Sequence, residues 1–200
     1  GRINASQIAE AINPADFYHS PKTTLVSLEN TTNKGGVAVY DFKEILKIKT
    51  LCEEHHLALH LDGARLWNAL EVTKEQPKEY GAVFDSISVC FSKGLGCPVG
   101  SLLLSSKEGI NKALRFRKVF GGGMRQSGYL AAAARYALKH HRKDLRKDHL
   151  RASELASVLQ QSNFVARVEP VETNIVIFAL KSEFGEQDFI QRMKALGILM

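Results

Sequence analysis

The stretch DSISVCFSKGLGCPVGSLLLSS, residues 85–106, holds two β-rich runs, DSISVCFS (85–92) and VGSLLLSS (99–106), split by the glycine-rich KGLGCP. Short apolar runs bounded by Gly and Pro read as strands with a turn between them. Upstream, LALHLD (57–62) is another strand, followed by a short helix, ARLWNAL, and a polar loop containing Pro77. Residues 41–55 open with Asp41, a good helix cap, and place Ile45, Ile48 and Leu51 on one face. TTLVSLEN (23–30) is a further strand and TTNKGG (31–36) a loop; Asn4 caps a helix carrying Ile8, Ala9 and Ile12, which Pro14 ends. Downstream, 107–118 form a basic amphipathic helix stopped by Gly121, Gly122 and Gly123. Two long helices are predicted from about Gln126 to His140 and from about Lys143 to Gln161. NFVARVEP and TNIVIFAL read as strands, and EQDFIQRMKALG as a helix leading into ILM, the start of a strand.

Strands alternating with helices predict an α/β chain built on a parallel sheet with crossover helices. The boundary falls near residue 145: residues 1–145 form a large α/β domain, and 146–200 a smaller α+β lobe. With 200 residues, 44% of them hydrophobic, the chain can bury one good core plus a small appended lobe. The formal charge of +6 is a modest excess of Lys and Arg over solvated helices. Basic residues gather at 112–118 and 139–151 without the interleaved aromatics of a base-stacking surface, which argues against nucleic acid. Cys52, Cys90 and Cys97 are odd in number and form no CxxC, so neither a disulfide framework nor a zinc site is expected and a cytoplasmic location fits. No apolar run reaches membrane-span length, so no membrane partner is expected. The opening GRINASQIAEAI lacks an initiating Met and reads as the interior of a domain, so a fragment lacking both ends is expected.

Ligands of open α/β sheets bind beyond the carboxyl ends of the strands, and three reactive residues fall at such ends. Lys93 follows SISVCFS and precedes GLG. A lysine at the mouth of a buried strand loses hydration, which favours the free amine that forms a Schiff base. Gly94 and Gly96 permit a tight turn and close approach of a ligand. The plainer reading is a strand-terminating Lys in an ordinary turn. Asp62 ends LALHLD; a buried carboxylate there needs a cationic partner. Such a partner can be the protonated ring nitrogen of pyridoxal phosphate. Asp62 can otherwise cap a helix starting at Ala64. Arg65, about one turn on, can offer its planar fork to a substrate carboxylate or pair with Asp62. Neither GxGxxG nor GxxxxGK[ST] occurs, which excludes Rossmann and P-loop readings, and GGGMRQ follows a helix rather than a strand.

SLENTTN, LHLDGARLWNA, SKGLGCPVGSLL, RFRKVFGGGMRQSGYLAAAARYAL and VETNIVIF, in this order and spacing, resemble the threonine aldolase branch of the β-eliminating lyase family. The resemblance runs over nearly the whole chain. It implies the aspartate-aminotransferase-like fold (fold type I) and pyridoxal 5'-phosphate as cofactor. It implies that Lys93 holds the cofactor as a covalent imine, that Asp62 pairs with the ring nitrogen, and that Arg65 lies beside the ring and the substrate carboxylate. His19, in DFYHSPKTT, matches a histidine near the substrate hydroxyl; otherwise it is an exposed loop histidine. Glu29 and Asn30 match a loop that shapes the site. Lys118 and Arg125 match basic residues that serve the site, in this family that of a neighbouring subunit; otherwise they are a solvated basic face. The chain departs from the family pattern at Thr32, where a histidine is usual, and at Cys97, where Thr is common. The family's phosphate-binding loop and ring-stacking histidine lie upstream of this sequence, and its carboxylate-clamping arginine would lie beyond Met200.

The activity implied is aldol cleavage of a small β-hydroxy amino acid, L-threonine or L-allo-threonine, to glycine and acetaldehyde, by a homo-oligomer that is commonly a dimer of dimers. The rivals are another β-eliminating lyase or transaminase of the same fold, and a truncated, non-catalytic dimerisation remnant. Glycine plus aldehyde, pyruvate plus ammonia, or a keto acid would separate the enzymes.

Overall fold

A computed structural model describes residues 2–14, 16–33 and 37–199. The end of the TTNKGG loop (34–36) and Met200 of the expected terminal strand lie outside the described residues. The first helix, α1 (Ala5–Ala11), is started by a capping box: Gln7 N–H donates to Asn4 Oδ1, and the Gln7 side chain accepts from the Asn4 N–H. β1 (Leu25–Glu29) leads to α2 (Phe42–Glu54), where Asp41 accepts from the Lys43 N–H as the cap. Ile45, Ile48 and Cys52 are the buried face of α2; Leu51 is only half-buried. Then follow β2 (Ala58–Gly63), α3 (Leu66–Thr73), α4 (Pro77–Val83) and β3 (Ser86–Cys90). The polar stretch around Pro77 is therefore a helix, not a loop. Proline is favoured in the first turn, where its missing N–H has no intrahelical partner to lose, and Gln76 with Glu79 closes a capping box.

β1, β2 and β3 are parallel, as the crossover pattern predicts. β4 (Ser101–Ser105) is antiparallel to β3, which corrects the all-parallel expectation. The connection, residues 91–100, is shorter than the dozen or so residues a parallel crossover needs. The four-stranded order is β1-β2-β3-β4. One face of the parallel strands presents Val26, Leu28, Leu59, Leu61, Ile87 and Val89, all buried in the core with Ile45, Ile48, Leu66, Leu70 and Tyr80. The opposite face presents Ser27, Glu29, His60, Asp62, Ser86 and Ser88, none of them buried. This strict alternation follows the two-residue period of a strand.

α5 (Lys107–Val119) and α6 (Gly128–His140) follow, then a 3-10 turn (Arg142–Asp144) and α7 (Leu145–Gln160). α7 buries Leu145, Ala152, Ala156 and Leu159 and packs on α3 and on the strand that follows it. A second sheet pairs β5 (Val165–Val168) with β6 (Phe178–Leu180) in antiparallel fashion. α8 (Glu186–Ala195) closes it, with Phe189 against Phe164 and Phe178. β6 is shorter than the predicted run 173–180, and ahead of that run Glu172 Oε2 accepts the Val39 N–H from the loop between β1 and α2 at 2.8 Å. Ile198 and Leu199 belong to no strand.

Candidate active site

The parallel register sets a row of side chains across the sheet: Glu29 pairs with Asp62 and Asp62 with Ser88. This row lies on the polar face, at the carboxyl ends of β1 and β2 and one turn of strand before that of β3. Asn30, just beyond β1, is fully buried and ties these ends together. Its N–H donates to the Asp62 carbonyl (3.0 Å), its Nδ2 to the Tyr80 hydroxyl (3.2 Å), and its Oδ1 accepts from the Tyr40 N–H (3.3 Å). The Tyr80 hydroxyl in turn donates to Glu75 at 3.0 Å; burial foremost, and then the Glu75 charge, push this phenol far up. Asn30 thus shapes the strand edge, with both ends of its amide engaged.

Asp62 is exposed, and its Oδ1 accepts the Ala64 N–H at 3.0 Å. It caps the turn into α3 rather than the helix itself, whose first residue is Leu66. The ion pair open to Arg65 is not formed among the described residues. Arg65, half-buried, donates from Nη2 to Asn33 Oδ1 at 3.4 Å, while the Asn33 N–H donates to Glu29 Oε2 at 3.0 Å. Glu29, Asn33 and Arg65 therefore form a chain along the strand edge beside Asp62. Asn33 and Ser88 are the members that sequence reading missed; no spacing marks an asparagine in a loop or a strand serine as a partner until the register is known.

Lys93 lies three residues beyond β3 and opens a turn closed by the Gly96 N–H donating to the Lys93 carbonyl (2.8 Å). Gly96 has φ +70°, the left-handed conformation that glycine adopts without strain. Lys93 is exposed, as are Ser92, Gly94 and Asp62, so the buried strand ends expected for Lys93 and Asp62 are not found among the described residues. The physical reason is that the described residues form no layer over this edge of the polar face. His19 makes no hydrogen bond or ion pair with Asp62, Arg65 or Lys93 among the described residues; its ring meets Tyr18 and Phe17. Asn13, just beyond α1, donates to the Pro21 carbonyl and the Thr23 hydroxyl (2.8 and 3.1 Å) and so fastens the segment that leads into β1. Lys118, in the last turn of α5, and Arg125, in the loop before α6, are both exposed and make no hydrogen bond or ion pair with Asp62, Arg65 or Lys93 among the described residues. A cavity of about 650 Å³ beside β6 and α8 is lined by Phe178, Phe184 and Phe189 and belongs to the second lobe, not to this edge.

The donor set fits pyridoxal phosphate: an accessible primary amine on a strand-end turn, a carboxylate on the adjacent strand, and a guanidinium at the start of the next helix.

Residues 1–183 match the family model described as Beta-eliminating lyase. The chain is 40% identical over 200 residues to a low specificity L-threonine aldolase of Escherichia coli strain K12, covering all of this chain and 58% of that protein. It is 40% identical over 173 residues to the corresponding protein of Saccharomyces cerevisiae, covering 86% of this chain and 44% of that one. Among solved structures, that of Leishmania major threonine aldolase superposes with a TM-score of 0.77 at 22% identity, over 92% of this chain and 54% of that chain, a likeness of fold. The chain thus spans about half the length of the relatives it matches. With a family match over most of its length and a mixed α/β sheet of the same fold, the chain belongs to the β-eliminating lyase family.

Proposed function

We propose that this chain carries the cofactor lysine of a pyridoxal-phosphate-dependent aldehyde-lyase that cleaves L-threonine or L-allo-threonine to glycine and acetaldehyde. The observation that carries the reading is the placement of Asp62 and of the Lys93 turn at the carboxyl ends of adjacent parallel strands, with Arg65 at the start of the next helix. The named activity of the Escherichia coli and yeast relatives supports the reaction. Pyridoxal phosphate, when bound, supplies the electron sink for the pair released at Cα. Lys93 would hold it covalently through Nζ, and Asp62 would pair with the ring nitrogen and keep a proton there. Arg65 binds the substrate carboxylate through its planar fork and so orients the bond to be broken. His19 lies near the substrate hydroxyl and takes its proton, directly or through a water it holds. Lys118 and Arg125 serve a neighbouring subunit's site in a homo-oligomer. The exposed apolar side chains around them, Phe116, Val119, Phe120, Met124 and Tyr129, support that assembly. The protein acts in the cytoplasm; no helix among the described residues is long and apolar enough to cross a membrane.

The test is the visible absorption of the protein with added pyridoxal phosphate, beside Lys93→Ala, followed by product analysis with L-threonine. A protein-bound imine band that needs Lys93, and glycine with acetaldehyde as products, are expected. A band unchanged in Lys93→Ala would overturn the lysine assignment, and pyruvate with ammonia would move the chain to the eliminating branch of its family.

A further inference from the structure

The Lys93 turn contains two glycines, which lose more conformational freedom on ordering than other residues. Its internal bonds are few: Gly96 N–H to the Lys93 carbonyl (2.8 Å) and Cys97 N–H to the Phe91 carbonyl (3.0 Å). Three further contacts hold the turn, two from the joint between α6 and α7 and one from α3. His141, the last-turn cap of α6, lies with Nδ1 2.8 Å from the Leu95 carbonyl. A carbonyl only accepts, so Nδ1 carries the proton and donates. Leu145, fully buried, fills the space beside Gly94: a Cβ built on Gly94 would lie 2.7 Å from Leu145 Cδ2. Asn68 of α3, also buried, stands 3.4 Å from that same point through Oδ1 and is held at 3.1 Å by His149 Nε2. Residues 141, 145 and 149 recur every four positions and so form one stripe along the joint. Arg142, over the Trp67 ring at 5.0 Å, fastens the same joint to α3.

We propose that His141 is a positioning residue for Lys93: by binding the Leu95 carbonyl from the α6–α7 joint it fixes the glycine-rich turn and with it the Lys93 amine. Among the described residues the bond is the one directional tie from the joint to the turn's backbone; Leu145 and the Asn68–His149 pair limit the turn by occupying space. The proposal rests on Lys93 being the cofactor lysine for its consequence, though the tie itself is a property of the turn.

Two readouts separate these. Amide hydrogen exchange at Gly96 and Cys97 reports the turn without cofactor. Borohydride trapping of added pyridoxal phosphate, with peptide mapping of Lys93 against surface Lys107 and Lys112, reports the amine. In His141→Phe, which keeps a ring but loses the donor, exchange at both amides rises roughly three- to tenfold, as for the loss of an ordinary hydrogen bond. Trapping at Lys93 falls while that at Lys107 and Lys112 does not. His141→Asn, which retains a donor at the δ position, restores both. If His141→Phe does not fold, His141→Ala takes its place. Unchanged exchange in the donor-less variant, or an Asn variant as impaired as Phe or Ala, would overturn the positioning role. Wild-type protein that never traps at Lys93 would overturn the lysine assignment instead, while the exchange arm still decides the tie.

Discussion

Gly63 and Asp62 show how closely the strand edge is built. A Cβ on Gly63 would lie 2.7 Å from the Ser88 carbonyl oxygen, a backbone atom of the neighbouring strand that cannot yield without moving the sheet. Gly63→Ala is expected to cost about 1–3 kcal/mol, read as a lower denaturation midpoint, because overpacking forces backbone shifts. Asp62→Asn tests chemistry without that strain. The exposed side chain keeps an oxygen for the Ala64 N–H, so the melting temperature should barely move. Affinity for pyridoxal phosphate in an absorbance titration should fall roughly tenfold or more, as a charge-assisted bond to the ring nitrogen becomes a neutral one. Equal affinity in both proteins would remove Asp62 from the cofactor role. Lys93, Asp62 and Arg65 could be named from the sequence because each ends or follows an apolar run. Their exposure could not, because burial of one strand end depends on what packs over it from elsewhere.

Among the elements, α7 carries a titratable tie. Burial foremost holds His149 below the ordinary histidine value of 6.5; Glu71 and Asp148 pull it up and Lys74 pushes it further down. The Asn68 Nδ2 donor at 3.1 Å requires a lone pair on Nε2, which only the neutral ring offers. With the folded value depressed, the unfolded chain takes up a proton first. The stability His149 contributes is therefore present above about 6.5 and is lost as pH falls from there through the folded value. His149→Gln, which keeps an acceptor but does not titrate, should flatten that part of the stability–pH curve in denaturation series between pH 8 and 5; parallel curves would refute it. Tyr80→Phe on α4 removes the hydroxyl between Asn30 and Glu75 and should cost about 1–3 kcal/mol by leaving the buried Asn30 Nδ2 without that partner. Helix positions followed from caps and periodicity, as at Asn4 and Asp41. α4 was missed because Pro77 signals a break as readily as a first turn, and only the capping box around it decides.

Over the whole molecule, the two sheets meet through α7 and through the Glu172–Val39 contact, and the α5–α6 region is the least covered part. α5 buries no residue, and Phe120 and Tyr129 are 86% and 87% exposed. Apolar exposure on this scale marks an interaction surface. If the homo-oligomer is built there, Phe116→Asp with Phe120→Asp should lower the mass seen by light scattering while leaving the helical circular dichroism unchanged. An unaltered mass would place the assembly elsewhere.

The linear order of residues sufficed for the alternation of strands and helices and for placing Asp62, Arg65 and Lys93 at or just beyond strand ends. These are local properties: periodicity, capping and the reach of one turn are written in neighbouring positions. Tertiary structure alone decided that β4 runs against β3 and that Arg65 binds Asn33 rather than Asp62. It alone brought His141 onto the Lys93 turn, 46 residues from the carbonyl it binds. Such contacts depend on register and on which helix returns over which strand end, and both are settled by packing between segments far apart in sequence.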